Sequence, residues 1–295
     1  MLRSLFSAIS GLRANQTMLD VTGNNIANAN TVGFKASDIV FQDTLSQMLT
    51  ASSAPTPAGT GTPSTPAAGG TNPIQVGLGV QVGAITTNFN QGSAEVTGSA
   101  TNLMISGDGF FVVNRGGESR YTRAGDFTFD ASGSLVTPDG DIVQGYKADA
   151  SGNIDNSATA TPSDITIAEL VTPPTTGAKM VSYNIGADGV ITATYDDGSK
   201  KPLFQIATAD FSNPAGLEKA GDTAFRKSTN SGDPQLGAPG TGRRGNLIGG
   251  SLEMSNVDLA KEFTNLIIAQ RGFQATSRVI TTSDEVLQDL VNIKH

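Results

Sequence analysis

From Leu2 to Ile26 the apolar positions Leu2, Leu5, Ile9, Leu12, Leu19 and Ile26 advance in alternating steps of three and four, with Gln16 and Gly23 completing the line. That spacing is the a/d seam of a heptad, and it predicts a helix of about 25 residues, roughly 37 Å long. The polar stretch Asn24–Asn30 followed by Gly33 supplies its stop. The far end repeats the design through Leu259, Phe263, Leu266, Gln270, Phe273, Ser277, Ile280, Asp284, Leu287 and Val291. A second line, Ile267, Val279, Val286, Leu290 and Ile293, widens its apolar face. Ser255 and Asp258, three apart, read as a capping box that starts this helix. Gly272 inside it marks a bend or a close approach of another element.

Between the helices the period changes to two. Short apolar runs broken by Asp108-Gly109, Gly116-Gly117, Ser132-Gly133 and Asp139-Gly140 predict strands near 109–114, 119–123, 126–130, 134–137 and 141–147. Val181–Ile185, Val190–Tyr195 and Leu203–Ala207, with turns at Asp188-Gly189 and Asp197-Gly198, predict a three-stranded meander. Residues 51–73, rich in Pro, Gly, Ser and Thr, read as an extended, mobile excursion, and 228–245 as a loop. The stretch 148–180 is polar apart from one short apolar run at Ile165–Val171. The expected fold class is therefore α+β: long N- and C-terminal helices that form a coiled coil, and a mainly β middle. Residues 1–35 and 255–295 make the helical domain, 36–75 a flexible connector, and 76–254 a β-rich domain with a small polar insertion at 148–180. Each helix must find its partner at the other terminus or on another copy of the chain.

Composition narrows the chemistry. The 295 residues include no cysteine, which removes disulfides, thiolate metal sites and cysteine nucleophiles together. The one histidine is His295. A net charge of −8 opposes nucleic acid, whose binding draws on Lys and Arg meeting phosphates. The first residues lack the unbroken apolar stretch of a cleavable signal, and no segment is long enough to span a bilayer. Asp108, Asp126, Asp130, Asp139 and Asp141 invite comparison with a glycosidase pair, but Asp108 and Asp139 precede glycines in turn context. Asp149–Asp155 spaces oxygen side chains like a calcium loop, yet Ile154 stands where glycine is needed and Ala160 where a glutamate is needed. Gly77–Gly83 lacks the third glycine of a dinucleotide fingerprint. The expectation is no enzyme, no metal and no cofactor; a secreted β-rich carbohydrate-binding or adhesin protein is the alternative from another class. Polar or small interruptions of the seams at Gln16, Gly23, Gln270, Ser277 and Asp284 suit a polymer, where such residues set register, better than a sealed core.

Three stretches carry a resemblance. Gly23-Asn24-Asn25-Ile26-Ala27-Asn28-Ala29-Asn30-Thr31-Val32-Gly33-Phe34-Lys35 resembles the N-terminal signature of flagellar rod and hook proteins. Ser255-Asn256-Val257-Asp258-Leu259 with Glu262, Leu266, Gln270-Arg271 and Phe273 is similar to that family's C-terminal helix. Gly107-Asp108-Gly109-Phe110-Phe111, Tyr121-Thr122-Arg123 and Gly125-Asp126-Phe127 resemble its β domain. The resemblance implies an inner coiled coil of terminal helices around an export channel, with the β domain outside. It also implies a helical homopolymer and a location in the flagellar hook or basal body, outside the cell after type III export without signal cleavage. The implied partners are rod and hook–filament junction proteins, the hook cap and the export apparatus, with no nucleic acid and no membrane insertion. The self-assembly residues it points to are Leu5, Ile9, Leu12, Leu19, Asn24, Asn25, Ile26, Gly33, Phe34, Ser255, Asn256, Leu259, Phe263, Leu266, Gln270, Arg271, Phe273, Ile280, Leu287 and Leu290. Val76-Gly77-Leu78-Gly79-Val80, Asn88-Phe89, Gly92 and the run Gly249–Leu259 look more like hook than rod, so a torque-transmitting hook subunit is expected. A distal rod subunit is the alternative, since 148–180 leaves little room for the large outer domain of many hook proteins and 51–73 lies where rod proteins carry extra residues.

Overall fold

The computed structural model describes residues 2–55, 69–149, 152–155, 161–167 and 179–292. Much of the 51–73 excursion, part of the apolar run at 165–171, and Ile293 and His295 fall outside them. The structure is mixed, with helix α1 (Leu2–Ala27), helix α2 (Leu259–Asn292) and a mainly β middle. The chain divides into two compact units: Met1–Ile26, Ser37–Thr86 and Leu259–His295 form one, and Ala27–Ala36 with Thr87–Asp258 form the other.

In the β unit the run Phe110-Phe111-Val112-Val113 explains the architecture. Successive side chains of a strand point to opposite faces, so a continuous apolar run requires cover on both sides. The strand Phe110–Arg115 has that cover. It sits inside a sheet in the order Met180–Ile185, Val190–Tyr195, Lys200–Ile206, Ile142–Lys147, Phe110–Arg115, Glu118–Thr122, Ala224–Arg226 and Glu218–Gly221. Neighbours along this path are antiparallel, with Val143 opposite Val113 and Val112 opposite Tyr121. Phe111 and Val113 enter one core with Leu103, Ile105, Phe127, Leu135, Ile191 and Ile206. Phe110 and Val112 enter the other with Tyr121, Tyr146, Phe211 and Phe225. Edge-to-face aromatic pairs join each side, Phe111 with Phe127 at 5.0 Å and Tyr121 with Phe211 at 4.8 Å between ring centres.

The predicted meander forms, as strands Met180–Ile185, Val190–Tyr195 and Lys200–Ile206, with its turns, where Gly189 and Gly198 take positive φ of 77° and 80°. Pairs such as Leu103–Ser106 with Asn246–Gly249, and Ala94–Val96 with Ser251–Glu253, bring the segment before α2 back to the segment before Phe110.

In the helical unit, part of the stretch expected as a connector is strand. Ser37–Asp43 pairs with Val80–Thr87, and Ser46–Thr50 pairs antiparallel with Ile74–Gly77. Both ladders break at matching places, where Thr44 donates from its N–H and its Oγ1 to the Gly79 carbonyl at 3.0 and 3.1 Å. The helices of this unit run in opposite directions where they meet. A methyl group on Gly11 would touch Thr276 and one on Gly272 would touch Asn15. The glycine in α2 therefore marks a close approach. That approach lies one position beside the expected seam of Leu12, Gln16, Phe273 and Ser277. α2 begins at Leu259, so Asp258 takes the position before the helix, while the Ser255 hydroxyl accepts from the Val257 N–H at 3.4 Å.

Candidate functional site

Two features stand out, a surface and a buried ionic cluster. The surface belongs to the helical unit. Every exposed large hydrophobic side chain among the described residues lies in that unit, except Val96, Val181 and Ile248. On the ribbon they are Val40, Phe41, Leu45, Met48, Leu49, Ile74, Val76, Leu78 and Ile85; on α1, Phe6; on α2, Leu259, Phe263, Ile267, Ile268, Val279, Val286, Leu290 and Val291. A two-stranded ribbon is marginal alone in water, and this one presents apolar side chains to it.

The residues expected at an assembly surface are distributed unevenly. Leu259, Phe263, Gln270, Arg271 and Leu290 are exposed along α2. Leu266, Phe273, Ile280 and Leu287 are half-buried on the flank that also carries buried Glu262 and Ala269. On α1, Leu5, Ile9, Leu12, Leu19 and Ile26 are half-buried and Asn24 is exposed. Asn25 is buried and committed within its own chain. Its Nδ2 donates to the Ser37 carbonyl at 2.9 Å and its Oδ1 accepts from the Ser37 N–H at 3.0 Å, a two-way amide clamp onto the first ribbon strand. Lys261 on α2 reaches Asp38 on the same strand at 3.0 Å.

The rest of the N-terminal signature serves the β unit. Gly33 adopts φ +68° and a Cβ there would stand 2.4 Å from the Ala124 nitrogen, so only glycine fits. Its N–H donates to the Glu253 carbonyl at 2.8 Å. Phe34, half-buried, lies under the Lys219 ammonium, 5.3 Å from its ring centre. Lys35 Nζ meets Glu253 Oε1 at 2.5 Å and donates to the Asn90 carbonyl at 2.9 Å, and Arg123 Nη1 meets Glu253 Oε2 at 3.3 Å. The three side chains are 0–2 % exposed. Gly92 N–H also donates to Glu253 Oε1 at 2.9 Å, and Arg123 lies over the Phe110 ring. Burial lowers the pKa of Lys35 and of Arg123, and in both the attraction of Glu253 opposes it. Asn256, half-buried, closes the array by accepting from the Ala36 N–H at 2.8 Å and donating to the carbonyls of Asn88 and Asn90 at 2.8 and 3.0 Å.

The sequence places Lys35 and Arg123 within the N-terminal and β-domain motifs and Glu253 within the run Gly249–Leu259, without marking them as a site. No signal in the sequence singles them out: Asp108 and Asp126 accompany Arg123 in its motif, and Asp258 accompanies Glu253.

Of the five aspartates considered for acid chemistry, Asp126, Asp139 and Asp141 line a cavity of about 280 Å³ with Asp222, Val32, Val113 and Ala124. Arg115 holds this group together, with Nε 2.9 Å from Asp141 Oδ1 and Nη1 3.0 Å from Asp222 Oδ2. Asp222, then Asp141, raises the Arg115 pKa. Burial raises that of Asp126. Asp141 is thus the ion-pair partner of Arg115. Among the described residues no group of three or more His, Cys, Asp or Glu side chains is placed to hold a metal ion, and no helix is long and apolar enough to cross a membrane.

Comparison with known proteins finds three family matches along the chain. Residues 5–35 match the flagella basal body rod protein family, 104–193 the D1 domain of flagellar hook protein FlgE/F/G, and 248–293 the C-terminal part of flagellar basal body rod FlgEFG protein. The flagellar basal-body rod protein FlgG of Bacillus subtilis (strain 168) is 43% identical over 295 residues, covering all of both chains. The FlgG of Borreliella burgdorferi is 35% identical over 298 residues, covering 100% of this chain and 99% of its own. The flagellar hook protein FlgE of the same organism is 31% identical over 451 aligned residues, again covering both chains fully.

Proposed function

Because this chain belongs to the flagellar basal-body rod and hook protein family, whose members are structural components of the flagellum, we propose that it is a distal rod subunit that polymerises with copies of itself into a tube. One observation carries the assembly reading: the exposed apolar side chains are concentrated in the unit that holds both terminal helices and the ribbon. Phe263, Ile267, Val279, Val286 and Leu290 are 44–56 % exposed, so covering the rest of each contributes about half of the roughly 1.5–3 kcal/mol of full burial. In water that surface opposes the isolated chain; between copies it drives association. The expected coiled coil is then a feature of the polymer, with α1 and α2 of neighbouring copies covering one another's exposed flanks. Leu259, Phe263, Gln270, Arg271 and Leu290 are the α2 residues this reading places at that contact.

Rod is favoured over hook because the rod relatives align end to end in 295 and 298 residues, whereas the hook relative needs 451 and so carries long stretches without a counterpart here. Hook is the second reading, supported by the motifs at 76–80 and 249–259 and by hook proteins matching the whole chain. The partners of such a tube are other rod and hook proteins at its ends and the flagellar export apparatus.

Electron microscopy of the full-length chain beside a copy lacking 1–30 and 256–295, both concentrated, tests the reading. Straight tubes from the full chain alone are expected. Curved tubes transfer the assignment to hook. Monomers with equally protease-resistant ends in both samples overturn assembly through the termini.

A further inference from the structure

We infer that the buried cluster of Lys35, Glu253 and Arg123 is the anchor that fastens both helix-bearing ends of the chain to the β unit within a single copy. The chain continues into α1 from residues 27–36 and into α2 from residues 254–258, and the bonds that hold these two segments converge on one place. Gly33 N–H and the Lys35 ammonium both go to Glu253. Ala36 N–H goes to the Asn256 side chain, which in turn donates to the Asn88 and Asn90 carbonyls. Asn88 N–H donates to the Ala36 carbonyl at 2.8 Å, and Met254 N–H to the Ser93 carbonyl at 2.9 Å. Both exits are thereby tied to each other and to the 88–93 loop, and Arg123 ties Glu253 to the sheet-side segment that encloses Gly33.

The charges are unequal, two cations around one carboxylate, which makes Glu253 the member on which the others depend. Removing Lys35 leaves a neutral Glu253–Arg123 pair. Removing the Glu253 charge leaves two buried cations that repel each other, and it strands the Gly92 N–H with a weaker acceptor. Force applied to either helix is received by the β unit at this cluster. That mechanical consequence rests on the tube reading; the anchor itself is a property of one chain.

Hydrogen exchange on the soluble full-length chain tests the anchor without assembly. In the unaltered chain, amides of 33–36 and of 253–256 exchange as slowly as those of strand Phe110–Arg115. Glu253→Gln speeds exchange at both exits together by about tenfold or more while 110–115 stays protected, and Lys35→Met does so to a smaller extent. The anchor is overturned if 33–36 already exchanges as fast as α1 in the unaltered chain. It is equally overturned if Lys35→Met releases the exits more than Glu253→Gln, or if Glu253→Gln frees only one exit. Should Glu253→Gln not fold, Lys35→Met decides alone: coordinated release of both exits supports the anchor, and release of 33–36 alone refutes it. Failure of the unaltered chain to form tubes would remove the rod reading and leave these exchange results standing.

Discussion

Replacing Gly33 with alanine probes the fit of the signature loop, and Gly116→Ala is its control. Both glycines take similar left-handed conformations, φ +68° and +61°. A Cβ at Gly116 would meet nothing within 4 Å, whereas at Gly33 it would stand 2.4, 2.7 and 2.8 Å from backbone atoms of Ala124 and Arg123. The control therefore carries only the conformational penalty of a non-glycine residue, about 1–2 kcal/mol. Gly33→Ala carries the same penalty, a backbone overlap of the kind that costs about 1–3 kcal/mol, and weakening of the hydrogen bond to Glu253, about 0.5–1.5 kcal/mol. The sum is about 2.5–6.5 kcal/mol, about 1.5–4.5 kcal/mol beyond the control. Urea unfolding of the soluble chain, followed by the near-ultraviolet signal of buried Tyr121 and Tyr146, reads the difference through the midpoint at constant slope. If the two substitutions fall within about 1 kcal/mol of each other, the loop accommodates a methyl group and the steric argument fails.

Asp126→Asn should stabilise the protein at neutral pH. The folded pKa of Asp126 is raised above 3.8, so its burial penalty is absent below 3.8 and fully present once pH exceeds the folded value. Thermal unfolding should show a higher Tm for the variant at pH 7 and no such gain below pH 3.8. Phe111→Ala, which empties a fully buried site packed against Phe127, should destabilise by about 3–5 kcal/mol in the same urea assay; a loss under ~1 kcal/mol would mean the core refills the space. Phe263→Ser, at a side chain 51 % exposed, should leave the unfolding midpoint of the soluble chain within about 0.5 kcal/mol yet raise the concentration needed to sediment tubes. Unchanged sedimentation would remove Phe263 from the assembly surface.

Much of the secondary structure was legible because its causes are local. The stripes of α1 and α2 follow from steps of three and four, and glycines after Asp188 and Asp197 mark turns that need positive φ. The run 110–113 reads as a strand, and the structure covers it on both faces. The ribbon 37–50 with 74–87 was not read in full, since its two ladders are interrupted at Thr44 and Gly79 and, among the described residues, most of its apolar side chains are exposed, so burial enforces no period. The Ser255 cap was misplaced because Asn256 is drawn into the loop contacts, which delays the helix to Leu259.

The amino-acid order by itself determined that the two ends are amphipathic helices, that a mainly β middle separates them in the chain, and that the chain resembles flagellar axial proteins. Tertiary structure alone decided which flank of each helix is covered within the chain, and which residues of the signature are spent inside one copy. Lys35 and Glu253 are 218 positions apart and Arg123 and Glu253 are 130 apart, so no periodicity links them. Only the closure of the β unit brings these charges together, and once buried away from water each must find its opposite.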